Sequence, residues 1–182
     1  MLLSDLLTAE HFVAWAELPE NADKRLEYIN ETVYDMTSNQ KSSACAMRIA
    51  VPLGVFIMAN DLGDMTGADG GYTVAGDYIV PDVAFISRQR QAAPPDETYN
   101  ALAPDFVVEV ISPSDIKNPQ RIHDKISLYQ RAKLPLAWFV YPLRREVEVY
   151  ENGELTRTAG IDDILDGGAV LPGFTLVVKT IF

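Results

Sequence analysis

Apolar residues recur along this chain in two ways, at alternate positions in short runs and three or four apart in longer ones, and the two periods predict strands and helices. Thr8 can cap a short helix through AEHFVAWAEL, and RLEYINETVYDM alternates about Asn30-Glu31 as a hairpin. A helix is expected from about Ser42 to Asn60, with a kink or break at Pro52. GYTVAGDYIVPDVAFIS reads as strands turning at Gly76-Asp77, and QAAPPDETYNALAP as an exposed loop. FVVEVI is a strand, the segment from about Pro119 to Ala132 a helix capped by Asn118, and LAWFVY another strand. A meander closes the chain: EVEVY and ELTRT about Asn152-Gly153, then FTLVVK after Pro172-Gly173. Strand 106–111, its helix and strand 136–141 form a right-handed βαβ unit with antiparallel strands around it. The fold class is therefore α/β, of mixed α and β type, in one domain over 1–182.

Composition narrows this picture. A chain of 182 residues with 48% hydrophobic and 23% charged residues can bury a core without disulfides. Its single cysteine, Cys45, permits no internal bridge and suits a reducing, cytoplasmic setting. MLLSDLLTAEHF lacks a basic leader, and Arg48 and Pro52 interrupt the apolar stretch 46–59, so neither a signal peptide nor a membrane span is expected. A formal charge of −11 argues against a general nucleic-acid coat. The bases are focused, however. Lys117, Arg121, Lys125, Arg131 and Lys133 face only Asp124 in that segment, a local +4 that leaves −15 elsewhere, a cluster that most often marks a solvated helix face.

The candidate chemistry begins with Glu109, an acid inside the apolar run FVVEVI. Strand alternation places Val107, Glu109 and Ile111 on one face and Phe106, Val108 and Val110 on the other, and both faces are apolar enough to be buried. An unpartnered carboxylate there costs several kcal/mol or takes up a proton. At about 100° per residue, Leu128, Ala132, Lys125, Tyr129, Ile122 and Ile126 share one stripe of the following helix, so Lys125 points toward the sheet. A second acid, Asp82, interrupts YIVPDVAFIS behind Pro81, which suggests an edge, a bulge or a strand start. Taken singly, Pro81-Asp82 also reads as a turn pair, and Glu109 with Lys125 as a structural salt bridge. Together, two acids on strands and an inward lysine suit metal-assisted phosphodiester hydrolysis. The acids would hold a hard divalent ion, and the lysine would orient water or stabilise developing charge.

The segments RLEYINETVYDM, VPDVAFIS, APDFVVEVISPSD and KISLYQRAKLPLAWFVYP resemble the Uma-two family of endonucleases, within the PD-(D/E)XK, or restriction-endonuclease-like, superfamily. The resemblance implies a mixed central sheet flanked by helices, an N-terminal hairpin, a C-terminal meander, and Mg2+ or Mn2+ at the site. It implies Asp82 as the PD acid, Glu109 as the acid of the next core strand, and the main-chain carbonyl of Val110 as a further metal ligand. The superfamily lysine would fall at Ile111, and Lys125 substitutes for it from the helix. Glu27 matches an acid of the first hairpin, either bonded within the site or solvated. Family members often carry a histidine early in the helix after that hairpin, and NQKSSACAMRIA has none.

Other motifs are weaker. DLGDMTGADGG and DILDGG lack the ligand spacing of a calcium loop and read as turns. Ser112-Pro113-Ser114 lacks a nucleophile elbow and reads as a turn ending the strand, and His123 lies off the buried stripe. The expected activity is a metal-dependent endonuclease acting on nucleic acid, DNA in the first instance, through Asp82, Glu109 and Lys125. A non-catalytic module of the same fold and a hydrolase of small phosphorylated substrates remain as alternatives. A homodimer is expected, since one small acidic domain covers little duplex.

Overall fold

The first apolar alternation, about Asn30-Glu31, forms as expected in the computed structural model, which describes residues 7–36 and 38–182. Strands β1 (Leu26–Ile29) and β2 (Thr32–Asp35) pair antiparallel, and both turn residues take positive φ, 49° and 61°, as a two-residue hairpin turn requires. Before them, Thr8 precedes helix α1 (Ala9–Ala16), but its hydroxyl meets His11 Nδ1 at 2.9 Å rather than a backbone N–H. The opening hexapeptide, part of the stretch read as lacking a leader, lies outside the described residues.

Helix α2 (Gln40–Ala59) starts earlier than Ser42, because Asn39 caps it by accepting from the Ser42 N–H at 3.0 Å. The expected break at Pro52 does not occur, and the helix runs unbroken for 20 residues. By length and composition alone such a helix is long enough to cross a membrane. One face, with Cys45, Ile49, Leu53 and Ile57, is buried against the sheet.

The chain then enters β3 (Gly63–Gly67), β4 (Gly71–Val74), β5 (Asp77–Ile79) and β6 (Val83–Ser87). Strand β3 corrects the reading of DLGDMTGADGG as turns: its glycine-poor centre, Asp64 to Thr66, pairs with β6 at the edge of the main sheet, where backbone pairing outweighs weak side-chain propensity. The β4–β5 turn falls at Ala75-Gly76, one residue before the expected pair. After the short β7 (Tyr99–Asn100) comes β8 (Phe106–Val110).

Ser112-Pro113-Ser114 opens a helix rather than a plain turn. Ser112 and Asp115 form a reciprocal capping box at the start of α3 (Pro113–Lys117), with Pro113 at its first position. Helix α4 (Pro119–Arg131) follows, and Asn118 makes no side-chain cap there. Then come β9 (Leu136–Tyr141), β10 (Glu146–Glu151) and β11 (Glu154–Ala159). DILDGG contributes β12 (Ile164–Gly167), which pairs with β13 (Leu171–Val177), another strand where turns were expected.

The main sheet has the order β11-β10-β9-β8-β6-β3, with β8 and β9 parallel through α3 and α4. A smaller sheet has the order β2-β1-β5-β4-β7. One face of the main sheet, through Phe85, Val108 and Trp138, packs on α2 and the β12–β13 pair. The other, through Val107, Phe139 and Ala137, packs on α4 and the small sheet. The alternation predicted for β8 holds, and Glu109 faces α4.

Replacing Leu53, fully buried under α2, by Ala is expected to lower unfolding free energy in urea by about 2–5 kcal/mol. Met58→Ala on the same helix, 75% exposed, is expected to change it by roughly 0.5 kcal/mol or less.

Candidate active site

The C-terminal end of β8 runs past its neighbour. Pairing with β6 covers Phe106 to Val108 only, because Pro81, which has no N–H to donate, and Asp82 precede the start of β6. The N–H of Val110 would be left open on that side, and Asp82 Oδ2 accepts it at 2.7 Å. In a strand, a residue's carbonyl turns to the same side as its N–H, so the Val110 oxygen also faces Asp82. The Pro81-Asp82 pair therefore terminates one strand and supplies an acid beside the free end of the next.

Glu109, 4% exposed, is engaged through both oxygens. Lys125 Nζ donates to Oε2 at 2.7 Å and the Tyr129 hydroxyl donates to Oε1 at 2.5 Å. Lys125, itself buried, also pairs with Glu27 Oε1 at 2.8 Å. Glu27 is fully buried on β1, which removes its reading as a solvated strand residue. Its Oε1 accepts the Val80 N–H at 2.9 Å, just ahead of Pro81-Asp82, and its Oε2 accepts from Arg121 at 3.1 Å. This one carboxylate joins the hairpin, the segment carrying Asp82, and α4.

Arg121 extends the network to Asp115, with which it forms an ion pair. Lys125 points inward as expected, and the reading of the rest of the basic cluster as a solvated face fails for Arg121. Arg121 and Lys125 point inward because buried acids await them, while His123 is exposed as expected. The sequence places Arg121 only in the basic cluster and Tyr129 only on the inward stripe, and gives neither a role in the site. Arg121, Lys125 and Tyr129 stand four apart on one stripe of α4, a spacing that sets three polar tips over the same point of the sheet.

Helix α4 is held in this orientation from its other side. Buried Asp124 accepts from the Tyr34 hydroxyl at 2.6 Å and from Asn30 and Gln120 at 3.0 Å. Burial pushes its pKa up, but these three donors outweigh burial and hold it below the usual carboxylate value. Arg131 pairs with Asp77 at 3.0 Å, so α4 is tied to both hairpins of the small sheet.

These groups surround a tight cavity of about 30 Å³, lined by Asp82, Glu109, Val110, Asp115, Arg121 and Lys125 among others. That is space for about one water or a small cation. Burial raises Asp82 despite the Val110 hydrogen bond. Burial also pushes Glu109 up to about 7, against the pull of Lys125 and with reinforcement from Glu27 and Asp82. For Lys125 burial works downward, but Glu109 and Glu27 outweigh it, so the ammonium stays charged. Three carboxylates, Asp82, Glu109 and Asp115, line the cavity with three cations, Arg25, Arg121 and Lys125, and buried Glu27 adds a fourth carboxylate through its pairs with Arg121 and Lys125. With every group ionised the carboxylates exceed the cations by one. Among the described residues, no three Asp, Glu, His or Cys side chains are grouped to hold a metal by themselves. The cavity's carboxylates are Asp82, Glu109 and Asp115, of which Asp115 is taken up by its ion pair with Arg121, and Val110 lines it beside Asp82.

A family model described as "Uma2: Putative restriction endonuclease" matches residues 9–179. No curated protein matches the chain. Among solved structures, the crystal structure of "a putative nuclease belonging to DUF820 from Anabaena variabilis ATCC 29413" superposes with a TM-score of 0.81 over 97% of each chain at 18% identity. At that identity the likeness is one of fold, and it confirms the mixed α and β architecture expected from the sequence.

Two outcomes follow from the buried charges. Lys125→Met keeps the stem but strands two carboxylates, and is expected to cost about 3–5 kcal/mol in urea unfolding near pH 8. Part of that loss should return near pH 5, where Glu109 takes up a proton. In the metal-free protein, burial pushes folded Glu109 up to about 7 from its ordinary 4.5, so between those values the folded state holds a proton that the unfolded state releases. Its contribution is full below 4.5 and lost as pH rises through 7. Stability should therefore fall with rising pH in that window, and Glu109→Gln should flatten the slope.

Proposed function

The chain belongs to the Uma2 family, and from that premise and the geometry of the cavity we propose that it is a nuclease hydrolysing phosphodiester bonds in DNA with Mg2+ or Mn2+ at the cavity. The observation that carries the reading is the Lys125 ammonium 2.7 Å from Glu109, on a cavity that Asp82 and Val110 also line. The donor set suits such an ion. Asp82, Glu109 and the Val110 carbonyl are hard oxygen ligands, and Mg2+ keeps several waters rather than filling its shell from protein groups. Two positive charges would also offset the carboxylate surplus around the cavity.

When bound, the ion supplies Lewis acidity at phosphoryl oxygens and makes water a stronger acid near neutral pH. Lys125, charged and fixed by two acids, stabilises negative charge that develops on the phosphoryl group and orients the attacking water. Glu109 must give up its proton to act as a ligand, so metal affinity should rise as pH climbs through about 7. Glu27 and Arg121 are positioning residues: one holds the Val80 backbone before Asp82, the other ties α4 to Asp115. Arg25 also lines the cavity with its side chain 40% exposed, and a phosphate approaching from outside would compete with Asp69, 3.9 Å away, for it. The single buried thiol of Cys45 suits action in a reducing, cytoplasmic setting.

One observation favours a second reading, a binding or assembly module that keeps the fold without turnover. Both Glu109 oxygens already accept protein donors, and the start of α2 has no histidine. Plasmid, linear and single-stranded DNA and RNA, incubated with Mg2+ or Mn2+, separate the two. Nuclease action predicts cleavage that falls about 100-fold or more in Glu109→Ala and Lys125→Ala, with both variants folded by circular dichroism. DNA affinity should weaken steeply with salt, which a small phosphorylated substrate would not show. Cleavage undiminished in both variants would overturn the assignment, and divalent stabilisation without cleavage of any substrate would favour the module.

A further inference from the structure

Beside the buried ion pair lies a second hollow, and the course of the chain fixes its place. In a βαβ unit the helix runs against its strands, so the C-terminal ends of β8 and β9 meet the N-terminal end of α4. Ile111 continues β8 by donating its N–H to Val140 at 2.9 Å, and it stands two residues past Glu109 on the same face. Tyr141 stands two residues past Phe139 on β9, and Ile122 about one turn before Lys125 on α4. All three are displaced the same way from the buried charges. With Pro119 and Pro142 they enclose a pocket of about 350 Å³, and Ile111 and Ile122 line the candidate active site as well. The pocket thus adjoins the site outside the carboxyl ends of two parallel strands, where open α/β sheets hold their ligands.

The walls indicate the guest. Ile116 and Leu143 form an apolar rim, 50% and 68% exposed, and among the described residues no carboxylate lines the pocket. Its one charged wall is Arg144, whose guanidinium carbon lies 3.8 Å from the centre of the Tyr141 ring and which Glu148 steadies at 3.1 Å. Two of the walls are prolines, which cannot rotate away, so the slot keeps its shape and suits a rigid, flat group. Back along β8 by two strand residues, about 6.6 Å, is the cavity where the nuclease reading places a phosphate. The guest is therefore apolar at one point and anionic a short step away. A nucleotide is built in that way, and bases stack on aromatic rings and on guanidinium planes alike.

We propose that this pocket receives the base of the nucleotide beside the scissile phosphate. The inference rests on the nuclease reading and adds to it the form of the substrate. A base inside a duplex is stacked on both faces and paired at its edge, so only an unpaired base can enter. The protein therefore acts on single-stranded DNA, or on a duplex with an opened pair, in preference to intact duplex. Apolar walls respond to stacking and not to hydrogen-bonding edges, so sequence preference at this position is slight.

Fluorescence anisotropy on the full chain in EDTA tests it, comparing a single strand of about 20 thymidylates with a chain of as many abasic nucleotides, which keeps the phosphates and lacks the bases. The wild type is expected to bind the thymidylate strand about tenfold or more tighter. Ile116→Gln combined with Leu143→Gln, both at the exposed rim, should remove that margin while leaving the abasic affinity and the circular dichroism spectrum unchanged. Cleavage of the single strand in Mn2+ should fall by a similar factor in the double variant. A wild type without the margin, or a double variant that keeps it, overturns the proposal. The two readings fail separately. Cleavage lost in Glu109→Ala, with rate and margin both intact in the double variant, leaves a nuclease without this pocket. A margin that the double variant loses, in a protein that cuts no DNA, supports the pocket and overturns the nuclease, and a protein that neither binds nor cuts DNA overturns both.

Discussion

A lysine ammonium buried between two carboxylates of different strands organises this molecule. Lys125 comes from α4, Glu27 from the hairpin and Glu109 from the middle of the main sheet, so the ion pairs join three parts of the fold at one point. Neither acid could remain charged there alone, and the lysine could not be buried alone. The acids require α4 to lie over the sheet with one particular face inward. Asp124, Arg131 and Arg121 then fix that face from its other contacts. The charges are arranged for specificity of docking as much as for stability, and the same constraint leaves a small cavity next to Asp82.

The cavity owes its place to a mismatch in strand length. Strand β8 continues beyond the start of β6, and the Pro81-Asp82 pair fills the gap by satisfying one N–H. Open backbone, a half-buried acid and a buried acid are thus brought together by the way the sheet ends. The surplus of carboxylates over cations is what the proposed divalent ion would offset. Burial pushes Glu109 up to about 7, and the neighbouring Glu27 and Asp82 add to that push.

Much of this was legible in the sequence because burial of charge is a strong signal. An acid in the run FVVEVI and a lysine on the apolar stripe of the next helix required one another, and the structure sets them 2.7 Å apart. Pro81-Asp82 and the inward turn of Lys125 were legible for the same reason. Arg121 was not, since it lies toward the edge of the stripe and its partners, Glu27 and Asp115, are distant in sequence or inside a cap. Strands β3 and β12 were hidden by glycines and acids, which lower strand propensity but are accepted where backbone pairing and one packed side chain, Met65 or Leu165, sustain the strand. Pro52 failed to break α2, whose inner face is held along its length by Ile49, Leu53 and Ile57.

The most direct test is diffraction from crystals soaked in Mn2+, recorded for the anomalous signal of the ion. With the ion held as proposed, a peak is expected within coordination distance, about 2.0–2.4 Å, of an Asp82 oxygen, with a Glu109 oxygen and the Val110 carbonyl completing the protein share of the shell. A cavity without a peak at saturating Mn2+, with the ion bound elsewhere or nowhere, would contradict it.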